Sequence, residues 1–69
     1  MIKVGSLVVS YHPAMDAPTL CIVTHISEMT YPIEVTTWPN RAEGWVCSES
    51  ELKLLNDDEA VIAVLRGGV

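Results

Sequence analysis

GWVCSESELKLL, residues 44–55, is the stretch that decides the fold. GWVC follows a Pro-Asn turn signal in WPNRAE (38–43) and reads as a short strand. Ser48 and Glu51 then fit the S-x-x-E capping box, in which serine and glutamate each satisfy an orphan backbone donor at a helix start. Leu52, Leu54 and Leu55 arrive at once, so only a single 3₁₀ turn fits before a short final strand, an arrangement common at the end of small β-barrels.

Working outward toward the N-terminus, PIEVTT (32–37) alternates Ile33, Val35 and Thr37 against Glu34 and Thr36, the period-two pattern of a strand with a polar outer face. A polar connection at 27–30 precedes it. TLCIVTHI (19–26) is rich in β-branched residues. It places Leu20, Ile22, Thr24 and Ile26 on one face and Cys21, Val23 and His25 on the other. Both faces are apolar enough for a central strand. In SLVVSY (6–11), Leu7, Val9 and Tyr11 alternate with Ser6, Val8 and Ser10, which predicts a first strand with one buried face. Between them HPAMDAP (12–18) holds two prolines that deny backbone donors. This loop has the length that joins the first two strands of an SH3-like barrel, and as the longest irregular stretch it is a candidate contact surface that includes Met15. The expected architecture is therefore all-β, a small five-stranded SH3-like barrel over residues 1–55.

Residues 56–69 form an appendage. Asn56, Asp57, Asp58 and Glu59 are good helix starters, and Arg66 followed by Gly67 suits a C-terminal cap, so a short helix over about 58–66 is expected. Val61, Ile62 and Val64 are β-branched and suit an added strand equally well, which leaves the segment helical or extended. Either way it is too apolar to stand in solvent. It packs on the barrel or on a neighbouring chain, a second copy included, and Ile62 and Leu65 are candidate contacts.

With 69 residues there is room for one core, and a chain so short buries only roughly 60% of its unfolded surface. Apolar residues make up 49% of it, an excess that a partner or self-association would cover. The longest apolar run, AVIAVL at 60–65, is far below the ~20 residues that span a bilayer, and the opening residues predict no signal peptide. Nine acidic against four basic residues give a net charge of -5, which disfavours nucleic acid, whose binders carry a basic patch to displace counterions. Two cysteines, Cys21 and Cys47, are too few for a disulfide scaffold and are expected as buried free thiols.

Little in the chain points to catalysis. Cys21 and His25 have the residue types of zinc ligands, but lack the C-x₂₋₄-C spacing that brings two thiolates together; a small core cysteine and an exposed histidine explain them better. Neither cysteine sits in a nucleophile motif, and a small barrel is filled by side chains rather than by a substrate cavity. The scattered glycines make no phosphate loop, and Asp57, Asp58 and Glu59 lack the order of a calcium loop. No enzyme activity, cofactor or metal is expected.

The aromatic residues are Tyr11, Tyr31, Trp38 and Trp45. Tyrosine and tryptophan dominate interface hot spots, so Tyr31 and Trp38, both beside prolines at strand ends, are the expected contacts, with Arg41 in the same turn as Trp38. Trp45, just ahead of the capping turn, reads rather as a core plug.

Taken in order, IKVGSLV (2–8), LCIVTHI (20–26), YPIEVTTW (31–38) and EGWVCSESELKLL (43–55) resemble small SH3-like proteins of tailed bacteriophages, especially those with cyanobacterial hosts. The chain departs from that pattern with Ser6 in place of an aspartate and Cys21 in place of a glycine. The resemblance implies a structural virion component, such as a cement or decoration protein binding the major capsid protein or another virion protein. The alternative it leaves is a regulatory adaptor that binds a host enzyme in the host cytoplasm. No catalytic residue carries over.

Overall fold

Thr19–Ile26 forms the long central strand β2 of an antiparallel sheet. In this computed structural model, residues 2–11, 18–30 and 32–66 are described. Around β2 stand β1 (Leu7–Ser10), β3 (Ile33–Thr37), β4 (Gly44–Cys47) and β5 (Leu52–Leu54), in the order β4-β3-β2-β1-β5. The sheet is open: among the described residues no ladder joins β4 to β5. β1 follows a turn in which Gly5 takes a positive φ of 92°, a backbone region that a side chain would strain. The Gly5 N–H donates to Val23 O at 2.8 Å, tying this turn to β2.

The link from β4 to β5 is the expected single 3₁₀ turn, Glu49–Glu51. The Ser48 N–H donates to the Glu51 carboxylate at 3.0 Å, as a capping box requires, while the Ser48 hydroxyl donates to the same oxygen at 3.1 Å. The Tyr11 N–H donates to Glu51 O at 2.8 Å and the Leu55 N–H to Leu7 O at 3.1 Å, extending the β1–β5 ladder at both ends.

The main core lies on one face of the sheet. Val8, Cys21, Val23, Ile33, Val35 and Cys47 form the buried cluster, with Ile2, Trp45 and Leu52 packed against it. Two expectations about faces change. On β1 both faces are buried rather than one: Val8 and Ser10 (0% exposed) face the main core, Val9 (4%) is buried on the other side, and Tyr11, expected beside it, is 52% exposed. A serine is tolerated there because the Trp45 indole N–H donates to its Oγ at 3.2 Å. On β2 the register shifts between Val23 and His25, a bulge that re-aims every later side chain. Beyond it His25 stands opposite Glu34, and Ile26 stands opposite the buried Ile33. The strict alternation expected through Ile26 therefore stops at Thr24, whose hydroxyl donates to Glu34 O at 3.1 Å.

The C-terminal segment is a helix, α1 (Asp57–Leu65). A reciprocal box starts it: the Glu59 N–H donates to Asn56 Oδ1 at 2.8 Å, and the Asn56 N–H to the Glu59 carboxylate at 3.2 Å. This local capping decides for helix against the β-branched content of Val61, Ile62 and Val64. None of its residues is buried. No helix among the described residues is long and apolar enough to cross a membrane.

Candidate functional site

Trp38 and Arg41 come together in the β3–β4 connection. Thr36 and Thr37 fix this loop: the Thr36 hydroxyl donates to Glu43 O at 2.8 Å, the Thr37 N–H to the same carbonyl at 2.9 Å, and the Thr37 hydroxyl to Asn40 O. The Trp38–Pro39 peptide is cis. Within the loop the Arg41 guanidinium carbon lies 5.3 Å from the Trp38 ring centroid, a cation–π geometry that pre-orders a charged and an aromatic group. Trp38 is half-buried, and its indole N–H is buried with no hydrogen-bond partner among the described residues. A donor left in that state costs about 1–3 kcal/mol, which an acceptor reaching it would recover.

Ile62 and Leu65, the candidates on α1, are exposed, Leu65 by 81%. Val61 and Val64 are exposed beside them. Sheet register relates the helix to the loop. The Trp38 N–H donates to Leu20 O at 3.1 Å, Leu20 stands opposite Val9, and Val9 floors a cavity that Ile62 lines. This row sets the Trp38 backbone beside Leu20, and the cavities that α1 shares with Leu7 and Val9 put the helix on the side of the sheet away from the main core. Leu20 (2% exposed) and Val9 (4%) are buried on that side. Met15 and Tyr31, the remaining contact candidates, lie outside the described residues.

Trp45 packs against the core cluster and donates to Ser10, the role of a plug rather than of a contact. The bulge also parts the two residues of zinc-ligand type: Cys21 is in the core and His25 is exposed on the other side. What sequence reasoning missed is the group Tyr11, Lys53, Glu59 and Arg66, which lines one cavity although it is drawn from the end of β1, from β5, and from α1 and its C-terminal flank. No spacing rule links such residues; only docking the helix onto the sheet assembles them.

Both cysteines are free and buried. Burial, with the nearby Cys47 adding to it, raises the Cys21 thiol from its ordinary 9.0 to about 11. Burial also raises Cys47, against hydrogen bonding from Ser10 and Trp45 that lowers it. The thiolate is the nucleophile, so the native chain is expected to resist iodoacetamide at neutral pH and to react at both cysteines in urea. Rapid labelling of the native chain would contradict this burial. Because Cys21 holds its proton more tightly when folded, its contribution to stability is complete below pH 9.0 and is lost as pH rises through about 11. Cys21→Ala should remove that share of the alkaline loss in urea midpoints. An alkaline slope unchanged by the substitution would rule the thiol out as its source.

No protein-family model, curated protein or solved structure matches this chain.

Proposed function

We propose that the chain is a non-catalytic protein-interaction module of SH3-like build, and that it serves as a structural virion component of the cement or decoration kind. The observation that carries the interaction reading is α1: Val61, Ile62, Val64 and Leu65 are exposed on a helix with no buried residue. Helices this short are marginal in water unless packed, so such a surface gains stability from a partner. The Trp38–Arg41 pair adds a pre-ordered aromatic and cationic anchor in the β3–β4 connection. In support of the SH3-like build, five strands run with the fifth beside the first and a 3₁₀ turn links the last two.

The virion role rests on the likeness of the strand motifs to phage proteins and on a physical fit. A small acidic domain with an exposed apolar helix suits a repeating protein lattice, where each copy is stabilised by its neighbours. Mass spectrometry of gradient-purified particles tests it, and the chain is expected there at a copy number commensurate with the capsid. Absence from particles would sink the virion role; the interaction reading would then point to a host enzyme as partner.

A further inference from the structure

Among the described residues, three cavities lie around α1 where it meets the sheet, with Ala60 or Ala63 in the lining of each. One is an open recess of about 410 Å³ at the Lys3–Ser6 turn. Another, of about 270 Å³, is walled by Leu7 and the apolar residues Ala60, Val61, Val64 and Leu65. The third, also about 270 Å³, differs in kind: Val9 and Leu55 form an apolar floor, Ile62 and Ala63 a wall, and four polar side chains a rim.

That rim concentrates the scarce positive charge of the molecule. Four residues of the chain are Lys or Arg, and two of them, Lys53 and Arg66, stand at this cavity. Lys53 is engaged, its Nζ lying 3.3 Å from Glu59 Oε2. The Glu59 carboxyl is held below its ordinary range by the Asn56 N–H and by Lys53, so the pair stays ionised and balanced. Arg66, which also lines the cavity, makes no salt bridge among the described residues, so the charged side chains of the lining sum to one positive charge beside the apolar floor. The Tyr11 phenol is the other polar group at the rim.

We infer that this cavity is an anchor pocket for the C-terminal residue of a partner protein, an apolar residue such as leucine whose free α-carboxylate pairs with Arg66. The inference rests on the protein-interaction reading above and supplies the chemistry of one contact. Size and charge select the occupant together. About 270 Å³ is below the roughly 300–1,000 Å³ of pockets for whole small-molecule ligands, so it holds a fragment the size of one residue. That fragment must carry an anion for Arg66 and an apolar branch for Val9, Leu55 and Ile62. Within a protein, a chain terminus alone puts both on a single apolar residue, and capture of a terminal carboxylate is an established recognition mode. A guanidinium suits it because its planar fork donates two parallel hydrogen bonds to a carboxylate.

The test is an amide-resolved NMR titration of the whole chain with three probes: an N-acetylated hexapeptide ending in leucine with a free carboxylate, the same peptide as its C-terminal amide, and 4-methylpentanoate. Saturable shifts are expected at Val9, Leu55, Ile62 and Ala63 with the free-carboxylate peptide. Binding should be weaker by about tenfold or more with the amide, and with Arg66→Gln, since one charge-assisted pair is lost. Arg66 is exposed, so that variant keeps the fold intact. Absence of saturable shifts, equal binding of the amide, an unaffected Arg66→Gln chain, or shifts confined to the Trp38 loop would each overturn the pocket. Binding of 4-methylpentanoate as tight as that of the peptide would overturn the chain-terminus occupant in favour of small organic acids. None of these results touches the particle measurement, so failure of the pocket and failure of the virion role are read separately.

Discussion

Leu20→Ala is expected to cost the chain most of its stability, although Leu20 lies outside the main core cluster. Its side chain is 2% exposed on β2, opposite Val9 and on the side of the sheet that carries α1. Truncating a buried leucine to alanine costs about 2–5 kcal/mol, the transfer term plus the cavity left behind. A domain of this length holds only roughly 3–10 kcal/mol in total. The loss therefore takes away a large part of the reserve, and it unfolds the chain at ambient temperature if the total lies at the low end of that range. Val61→Ser removes a similar side chain from an exposed site on α1 and is expected to shift stability by no more than about 0.5 kcal/mol. Urea midpoints followed by tryptophan fluorescence compare the two. Equal midpoints would mean that Leu20 has no second core to fill, and that the far side of the sheet is as open as the helix surface.

That second core is also where reading the sequence reached its limit. β2 and β4 begin and end where their residues predict, because turn signals bracket both and their apolar content leaves no rival. The 3₁₀ turn was legible from three leucines coming too soon for a longer helix. Faces were harder. Val8 and Val9 are equally apolar, so periodicity cannot say which of them meets the main core, and Ser10 enters the interior with a donor from Trp45, 35 residues away. The bulge at Thr24 leaves no mark in composition, yet it exchanges the faces of His25 and Ile26. Of the candidate contacts, Trp38 and Arg41 were legible as neighbours in one turn. The rim of Tyr11, Lys53, Glu59 and Arg66 was not, since it exists only once α1 is laid across the sheet.

Under the proposed virion role, Trp38→Ala is expected to release the chain from particles more than any single carboxylate change. Aromatic anchors in interfaces cost about 2 kcal/mol or more on truncation to alanine, roughly a thirtyfold weakening, whereas exposed charges contribute about 0–1 kcal/mol. Two features of Trp38 put it in the first class: the Arg41 guanidinium is already ordered on its ring, and its buried indole N–H has an unused hydrogen bond to give among the described residues. Trp38→Phe keeps a ring for Arg41 and removes that donor, so intermediate retention would assign part of the effect to the N–H. Asp57→Asn and Glu43→Gln, both exposed, serve as the carboxylate comparison. Ending the chain after Leu55 removes the exposed valines and leucine of α1 and is expected to weaken attachment as well, but it also uncovers Val9 and Leu55. Val61→Ser with Leu65→Ser removes the two most exposed apolar side chains of that surface while leaving the floor covered, so it separates lost contact from lost fold. Circular dichroism of each variant confirms folding before particles are pelleted and the bound fraction is measured. Full retention of folded Trp38→Ala and of the double serine variant would show that neither the β3–β4 loop nor α1 meets the capsid.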